Sequence, residues 1–299
     1  MSAARQAVEY AARALGFSAV GVAPADAAQG DFLLSWLREG CHGDMAWLER
    51  HAPARLDPRL VLPGVRSVIM LTYEYPRCDA RQAPGAFARY AQGDDYHKLL
   101  APKLADLDET LAFYGGQQRC FSDSGPVSER FFAARAGLGW IGRNGLLVRP
   151  RGGSYCFLSC ILTTLELPPD APMPSRCGSC HRCEQACPTG ALSRRMCDAR
   201  KCLSYWSIEA KSPIPPAMNA ARGNRLYGCD ACQEACPWNR LPLASRIDPH
   251  LLMPARLADL SPAALAALPE PAFFSLFERS PVRRIGPQRL RENAQGIDD

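Results

Sequence analysis

The sequence predicts an α/β domain over 1–168, a small cysteine-rich module over 169–245 and a short helical, basic segment over 246–299. Three observations carry this. Helical and strand periodicities alternate up to about residue 165. A proline-rich stretch, Leu165–Pro174, then marks a link. Beyond it, two spaced cysteine runs fall between Cys177 and Pro237.

Residues 4–15 set Ala4, Val8, Ala11, Ala12 and Leu15 on one helical face. Ala19–Ala23 reads as a short buried strand. Asp31 is placed to cap a helix through Leu37 that Gly40 stops, and a second short helix covers Asp44–Arg50. Ser67–Tyr73 is dense in β-branched and long apolar residues, as a central strand requires. Arg77–Gly85 is a loop. Asp94 or Asp95 caps the next helix, whose buried face is Leu100, Leu104, Leu107 and Leu111 and whose end is Gly115-Gly116. Arg119–Ser122 is a strand running into Asp123-Ser124-Gly125-Pro126, and Val127–Ala136 is a helix. The glycines of AGLGWIGRNGLL suit a place where backbone approaches a ligand closely. Gly145–Arg149 and Ser154–Thr163 form a hairpin around Arg151-Gly152-Gly153. Asp198 caps a helix carrying Cys202 and Tyr205. Two weak helices, Pro262–Leu268 and Ala272–Arg279, precede a basic tail.

Cys177, Cys180, Cys183 and Cys187 stand in C-x2-C-x2-C-x3-C-P, the bacterial ferredoxin spacing for a [4Fe–4S] cluster. Cys229, Cys232 and Cys236 repeat it without one member, which Cys202 supplies from upstream. In such paired runs the last cysteine of each ligates the other cluster. One cluster therefore takes Cys177, Cys180, Cys183 and Cys236, and the second takes Cys187, Cys202, Cys229 and Cys232. Zinc favours separated C-x2-C pairs and has no use for the x3-C-P ending. Disulfides require an oxidising compartment, and nothing in the sequence suggests export. Cys41, Cys78, Cys120, Cys156 and Cys160 lack cluster spacing and read as free thiols, mostly buried.

Arg5, Glu9 and Arg13 interrupt the first apolar stretch, so it is no signal peptide, and no run reaches membrane-span length. Fourteen cysteines in such a chain indicate the reducing cytoplasm. The net charge of +5 is mild, but 176–246 carries eleven Lys/Arg against five Asp/Glu. Arg279, Arg283, Arg284, Arg289 and Arg291 follow. Such residues neutralise anionic clusters, meet phosphates or line a solvated face.

Clusters move single electrons, so the first domain must hold the chemistry. No dinucleotide fingerprint, P-loop or Ser/His/Asp order is present. Asp123, at a strand end before a turn, can be a proton donor or a plain helix cap. Glu129 and Arg130 read as a surface ion pair. His97, alone in DDYHKLL, reads as a packing or hydrogen-bonding residue rather than a metal ligand.

RYAQGDDYHKLL, SDSGPVSERFFAARAGLGWIGRNGLL, the cysteine run, CLSYWSIE and GNRLYGCDACQEACPWNR, in this order, resemble the tRNA epoxyqueuosine reductase family over almost the whole chain. The resemblance implies a nitroreductase-like corrinoid-binding sandwich ahead of a ferredoxin-like module. It implies cobalamin and two [4Fe–4S] clusters as cofactors. The implied substrate is tRNA carrying epoxyqueuosine at the wobble position, and the implied product is queuosine. A low-potential electron donor is expected to feed the clusters, and a monomer with no membrane attachment is expected. Asp123 matches the family's proton donor. Arg55, Ser204, Asp230 and Ala231 match corrinoid contacts, as do Ala88, Leu147 and Leu158. Ser159-Cys160 stands where the family often has Gly-Glu, and the sequence ends without the helical repeats many members carry. That implies a compact form in which the basic module and tail grip tRNA. The rival readings are a corrinoid reductase of another small substrate, such as an organohalide, and a plain ferredoxin-type electron carrier.

Overall fold

The computed structural model describes residues 2–27, 31–77, 87–241, 246–258, 260–295 and 297. The first helices and strands are α1 (Ala3–Ala14), β1 (Ala19–Pro24), α2 (Asp31–Arg38), α3 (Trp47–Arg50), α4 (Ala52–Leu56) and β2 (Ser67–Glu74). The predicted loop from Arg77 falls outside the described residues beyond that arginine, as does Cys78. Next come α5 (Tyr96–Ala112), β3 (Gln118–Phe121), α6 (Glu129–Arg135), β4 (Trp140–Ile141), β5 (Leu147–Val148) and β6 (Cys156–Thr163).

Four strands form the central sheet in the order β1-β2-β6-β3, and each neighbouring pair is antiparallel. Every residue of β2 is buried, as expected of an inner strand covered on both faces. Its side chains alternate across the sheet. Ile69, Leu71 and Tyr73 join Val8 and Ala12 of α1 and Leu100, Leu104, Leu107 and Leu111 of α5. Val68 and Met70 join Phe132 and Ala133 of α6 on the other face. The first domain is thus a helix–sheet–helix sandwich. Asp95, rather than Asp94, caps α5 by accepting from the His97 N–H at 3.1 Å.

The sheet buries one ion pair. Arg149 Nη2 lies 2.5 Å from Glu74 Oε1, with side-chain exposures of 3% and 0%. Arg149 Nη1 donates to Ser18 Oγ at 2.9 Å and Thr72 Oγ1 at 3.1 Å. Arg149→Ala breaks this buried pair and should cost about 3–5 kcal/mol of stability, read as a shift in a urea unfolding midpoint.

The hairpin expected around 151–153 forms differently. β5 pairs with β4, through Trp140↔Val148 and Ile141↔Leu147, and only an isolated bridge, Arg149↔Gly153, links it towards β6. β6 instead lies between β2 and β3. The alternating inward residues of β6 are better buried between β2 and β3 than against a two-residue arm. The link after β6 is tied down: Arg5 reaches both Asp170 oxygens at 2.8 and 2.7 Å, and Asp170 Oδ2 accepts the Val22 N–H at 2.8 Å.

The cysteine-rich module contains α7 (Arg182–Gln185), β7 (Leu192–Ser193), β8 (Met196–Cys197), α8 (Leu203–Ile208), α9 (Pro216–Ala221) and α10 (Ala231–Glu234). Asp198 caps a single turn, Ala199–Lys201, and Cys202 itself stands at the start of α8. The module leans on α2 and on the segment that follows it. Trp36 Nε1 donates to the Cys197 carbonyl at 2.7 Å, and the Asp44 N–H donates to Tyr205 Oη at 2.8 Å. Gly43, at φ +58°, lies so close to the Tyr205 ring that a Cβ there would collide with it.

The basic tail is an ordered helical layer: α11 (Ala255–Ala258), α12 (Pro262–Ala266), α13 (Glu270–Leu276) and α14 (Gly286–Ala294). Leu265, Phe273, Phe277, Val282 and Leu290 bury against Phe87, Leu226 and Tyr227. Its arginines hold it in place. Arg284 pairs with Glu209 at 2.6 Å, Arg279 with Asp94 at 2.6 Å, and Arg291 donates to the Leu268 carbonyl at 3.0 Å. Arg283 lies over the Phe274 ring and has no acidic partner among the described residues. No described helix is long and apolar enough to cross a membrane.

Candidate active site and cluster centres

Asp123 follows β3 in the left-handed region, at φ +60°. For a residue other than glycine this costs of order 1 kcal/mol and persists only where the surroundings enforce it. Two contacts do so. Its N–H donates to Glu129 Oε1 at 2.8 Å, and its Oδ2 accepts from Tyr96 Oη at 2.8 Å. The strand end beneath is pinned as well: Ser122 Oγ donates to the Leu158 carbonyl at 3.0 Å, and Ser159 Oγ donates to Ser122 Oγ at 3.3 Å. The Asp123 side chain remains 67% exposed. Its carboxyl therefore faces open space while its backbone is held.

Asp123 does not cap α6. Glu129, which opens that helix, turns back to the Asp123 backbone instead of pairing with Arg130 on the surface. Burial first, and then the nearby Asp123 carboxylate, push the Glu129 carboxyl up to about 8, against the pull of the Asp123 N–H, Arg130 and Arg55. Tyr96 is held firmly protonated by burial and by the Asp123 charge, so it donates to Asp123. His97 stacks on Tyr96 at 4.1 Å, bonds Asp95 at 2.8 Å through Nδ1 and brings Nε2 to 4.0 Å from Asp123. It is a hydrogen-bonding residue beside the site, as expected.

An aromatic wall runs from Asp123 to the cysteine module. Tyr96 stacks on Phe157 at 4.1 Å, Phe157 meets Tyr75 at 4.7 Å, and Tyr75 meets Tyr155 at 5.7 Å. The Arg89 guanidinium lies 5.6 Å over Tyr155. Asp230 Oδ2 then accepts the Arg89 N–H at 2.7 Å and Arg89 Nη1 at 3.2 Å. Burial raises the Asp230 carboxyl, while the Arg89 donors oppose that rise. Asp230 sits between Cys229 and Cys232, so the wall joins Asp123 to the second cysteine set.

Of the residues matched to corrinoid contacts, Arg55 lies near the Asp123 end of this wall and Ala88 and Asp230 lie at the other. Arg55 lies near Asp123 and Glu129, with Nη1 3.3 Å from the Val127 carbonyl and Cζ 5.1 Å from the Trp47 ring. Its buried Nε has no partner among the described residues, which leaves a donor for a ligand. Leu158 packs at the edge of the core under α6, and Leu147 lies fully within that core at 3% exposure. The Leu147 side chain is thus spent on packing, and only its backbone is left for a ligand. At the far end a recess of about 490 Å³, open mouth included, is lined by Ala88, Arg89, Gly228, Cys229, Asp230 and Glu234 among others. Gly228, at φ +73°, is forced by its closeness to Ala88, whose Cβ would lie 2.6 Å from an added one. Ala231 opens α10 beside it, and Ser204 follows Cys202 in the first turn of α8.

Cys177, Cys180, Cys183 and Cys236 line one recess of about 500 Å³ together with Arg143, Asn144, Arg176, Arg182 and Trp238. Trp140 Nε1 donates to Cys177 Sγ at 3.4 Å, and Trp238 packs edge-on against Trp140 at 4.9 Å. In the other set burial raises Cys229 and Cys232, and the negative charge of Cys202 adds to both. In the first set four soft sulfurs line one recess and the Trp140 N–H is aimed at one of them, a donor set that suits a cluster.

Cys197, which spacing did not single out, joins the second set. β7 and β8 form a two-residue hairpin with Arg194 and Arg195 in the left-handed region, and this turns Cys197 towards Cys202. A hydrogen bond from Cys197 lowers the Cys202 thiol to about 6. Of the remaining cysteines, Cys41 and Cys160 are buried and Cys120 and Cys156 partly so.

An α/β sandwich joined to a double-cluster module, with an acid at one end of the joining wall, fits an iron–sulfur oxidoreductase. Comparisons agree on the class and narrow it. Residues 55–124 match the family model for epoxyqueuosine reductase QueG, and residues 176–239 match that for a 4Fe-4S double cluster binding domain. The chain is 40% identical to the epoxyqueuosine reductase of Vibrio cholerae, covering 93% of this chain and 78% of that one. With that of Escherichia coli K12 it shares 38% identity, at 93% and 76% coverage. The chain belongs to the epoxyqueuosine reductase family. Among solved structures, an epoxyqueuosine reductase bound to an epoxyqueuosine-modified tRNA-Tyr stem loop superposes with a TM-score of 0.88 at 30% identity, covering 97% of this chain and 79% of that one. The Bacillus subtilis enzyme, with its catalytic aspartate loop swung out of the active site, gives 0.85 at 30% identity, covering 97% and 79%. A catabolic reductive dehalogenase gives 0.50 at 17% identity over 95% of this chain and 37% of that one, a likeness of fold alone.

Proposed function

We propose that the chain reduces epoxyqueuosine to queuosine at the wobble position of tRNA, with cobalamin held in the cleft along the aromatic wall and two [4Fe–4S] clusters in the cysteine module. The observation that supports this best is the wall itself, which has Asp123 at one end and the Cys229–Cys232 segment at the other. Cys177, Cys180, Cys183 and Cys236 hold one cluster. Cys187, Cys202, Cys229 and Cys232 hold the other. Arg55, Ala88, Asp123, Leu147, Leu158, Ser204, Asp230 and Ala231 line the corrinoid.

When bound, the corrinoid and clusters supply the two electrons that opening the epoxide consumes. The chain's own residues supply place and protons. Tyr96 holds Asp123 Oδ2 and leaves Oδ1 to carry a proton to the departing oxygen. The exposed carboxyl can meet a base that has left the anticodon stack. A loop able to swing, as in the B. subtilis relative, suits entry of such a base. Arg55, with its unpartnered Nε, offers a charged donor to the ligand at that end. Asp230 and Arg89 hold the segment between Cys229 and Cys232 against the wall.

Anaerobic reconstitution tests the cofactors. About eight irons and one corrinoid should be bound per chain. An iron-replete chain that takes no corrinoid is an electron carrier, and this function is then excluded. Cells lacking the enzyme should accumulate epoxyqueuosine in their tRNA, and normal queuosine there would reject the substrate. The ion pairs of Arg279, Arg284 and Arg291 make the tail a structural layer. Arg283, and Arg176 and Arg182 on the module, are among the exposed basic residues that would meet phosphate.

A further inference from the structure

Glu129 has no part in the chemistry described so far, yet it makes the bond that sets the Asp123 backbone. Four observations bear on its role. Asp123 occupies a left-handed conformation that a side-chain-bearing residue keeps only under constraint. Its Oδ2 bond to Tyr96 constrains the side chain but leaves the peptide free to turn. The Asp123 N–H has Glu129 Oε1 as its partner, six residues on and 2.8 Å away. Between them the chain makes a tight turn in which Gly125 packs onto the Phe121 ring so closely that no Cβ fits. The turn is thus closed at its base by Ser122 and Ser159, and at its tip by Glu129.

We propose that Glu129 is the positioning residue of the Asp123 loop: its carboxyl latches the Asp123 amide and so holds the proton-donating carboxyl in its working place. The latch acts through Asp123 and rests on the reading of Asp123 as the proton donor. Burial favours the neutral form of Glu129, and a neutral carboxyl still offers a carbonyl oxygen to the N–H. Acceptance of that hydrogen bond, rather than charge, is what the loop needs. When the latch opens, the left-handed turn loses its support and Asp123 leaves the wall.

The test uses the full chain with its clusters and compares Glu129→Gln, Glu129→Ala and Glu129→Met. Glutamine keeps an acceptor oxygen. Alanine removes it, and methionine removes it while filling the space, which guards against a cavity that unfolds the domain. Hydrogen exchange of the Asp123 amide, which needs neither corrinoid nor tRNA, should speed up about tenfold or more in the alanine and methionine variants and stay slow in the glutamine variant. Turnover on epoxyqueuosine-containing tRNA should fall about 10- to 100-fold in the same two variants, with KM for tRNA unchanged, and recover in the glutamine variant. Unchanged exchange in Glu129→Met overturns the latch. So does a glutamine variant as slow as the alanine one, since that result gives Glu129 a proton to move rather than a loop to hold. Should wild-type protein itself fail to reduce the tRNA, the proposed function fails instead, and the exchange result still decides the latch.

Discussion

Asp123→Asn should lower turnover about 100- to 10,000-fold while leaving iron and corrinoid content unchanged. The expectation follows from three features of the site. The carboxyl is exposed, so it can meet a substrate atom. Tyr96 donates to Oδ2 and is held protonated, so it cannot take over as the acid without giving up that bond. His97 comes to 4.0 Å of the same oxygen and shares its other nitrogen with Asp95, so it backs Asp123 without replacing it. Asparagine preserves the size and tolerates the left-handed backbone, so the Glu129 bond survives and the loop stays in place. Single-turnover measurement with pre-reduced enzyme isolates the effect on the chemical step. An active Asp123→Asn enzyme would return Asp123 to a structural role.

The second large effect concerns the cluster module. Cys202→Ala should remove one cluster, about four irons, and with it nearly all turnover, because a cubane left with three thiolates is readily lost. Cys197→Ala should keep about eight irons and most of the activity. The two thiols touch, and burial alone cannot say which one binds iron. The spacing and the helix start favour Cys202. Cys202 opens α8, where the Ser204 and Tyr205 N–H groups bond its sulfur and stabilise a thiolate. Cys197 lies on a hairpin strand and acts as the donor between them. Iron analysis and electron paramagnetic resonance of the two variants measure the difference. Loss of four irons in Cys197→Ala, with retention in Cys202→Ala, would exchange their roles.

Much of this was legible before any coordinates. β2 announced itself by a run of apolar and β-branched residues, and α5 by four leucines on one face with an acidic cap before them. Both are local patterns with one physical solution. The hairpin around Arg151-Gly152-Gly153 was misjudged because glycines mark a turn without saying which strands it joins. Pairing is settled by the side chains that Trp140 and Val148 bring from outside the window. The tail read as a basic, weakly helical appendage because Phe273, Phe277 and Leu290 show their worth only against Phe87 and Tyr227, nearly two hundred residues earlier in the case of Phe87. Glu129 passed for half of a surface pair with Arg130 for the same reason: nothing local shows that its carboxyl turns back to Asp123.

Cysteine spacing by itself determined the cluster chemistry, since ligation by a tight loop depends on short intervals along the chain. Asp123 could likewise be singled out from its place at a strand end. Its surroundings there are set by Tyr96, Glu129 and the aromatic wall, which lie far apart along the chain. Short-range order is written in neighbouring residues. The environment of a carboxyl is a sum over space, and only the folded chain brings those terms together.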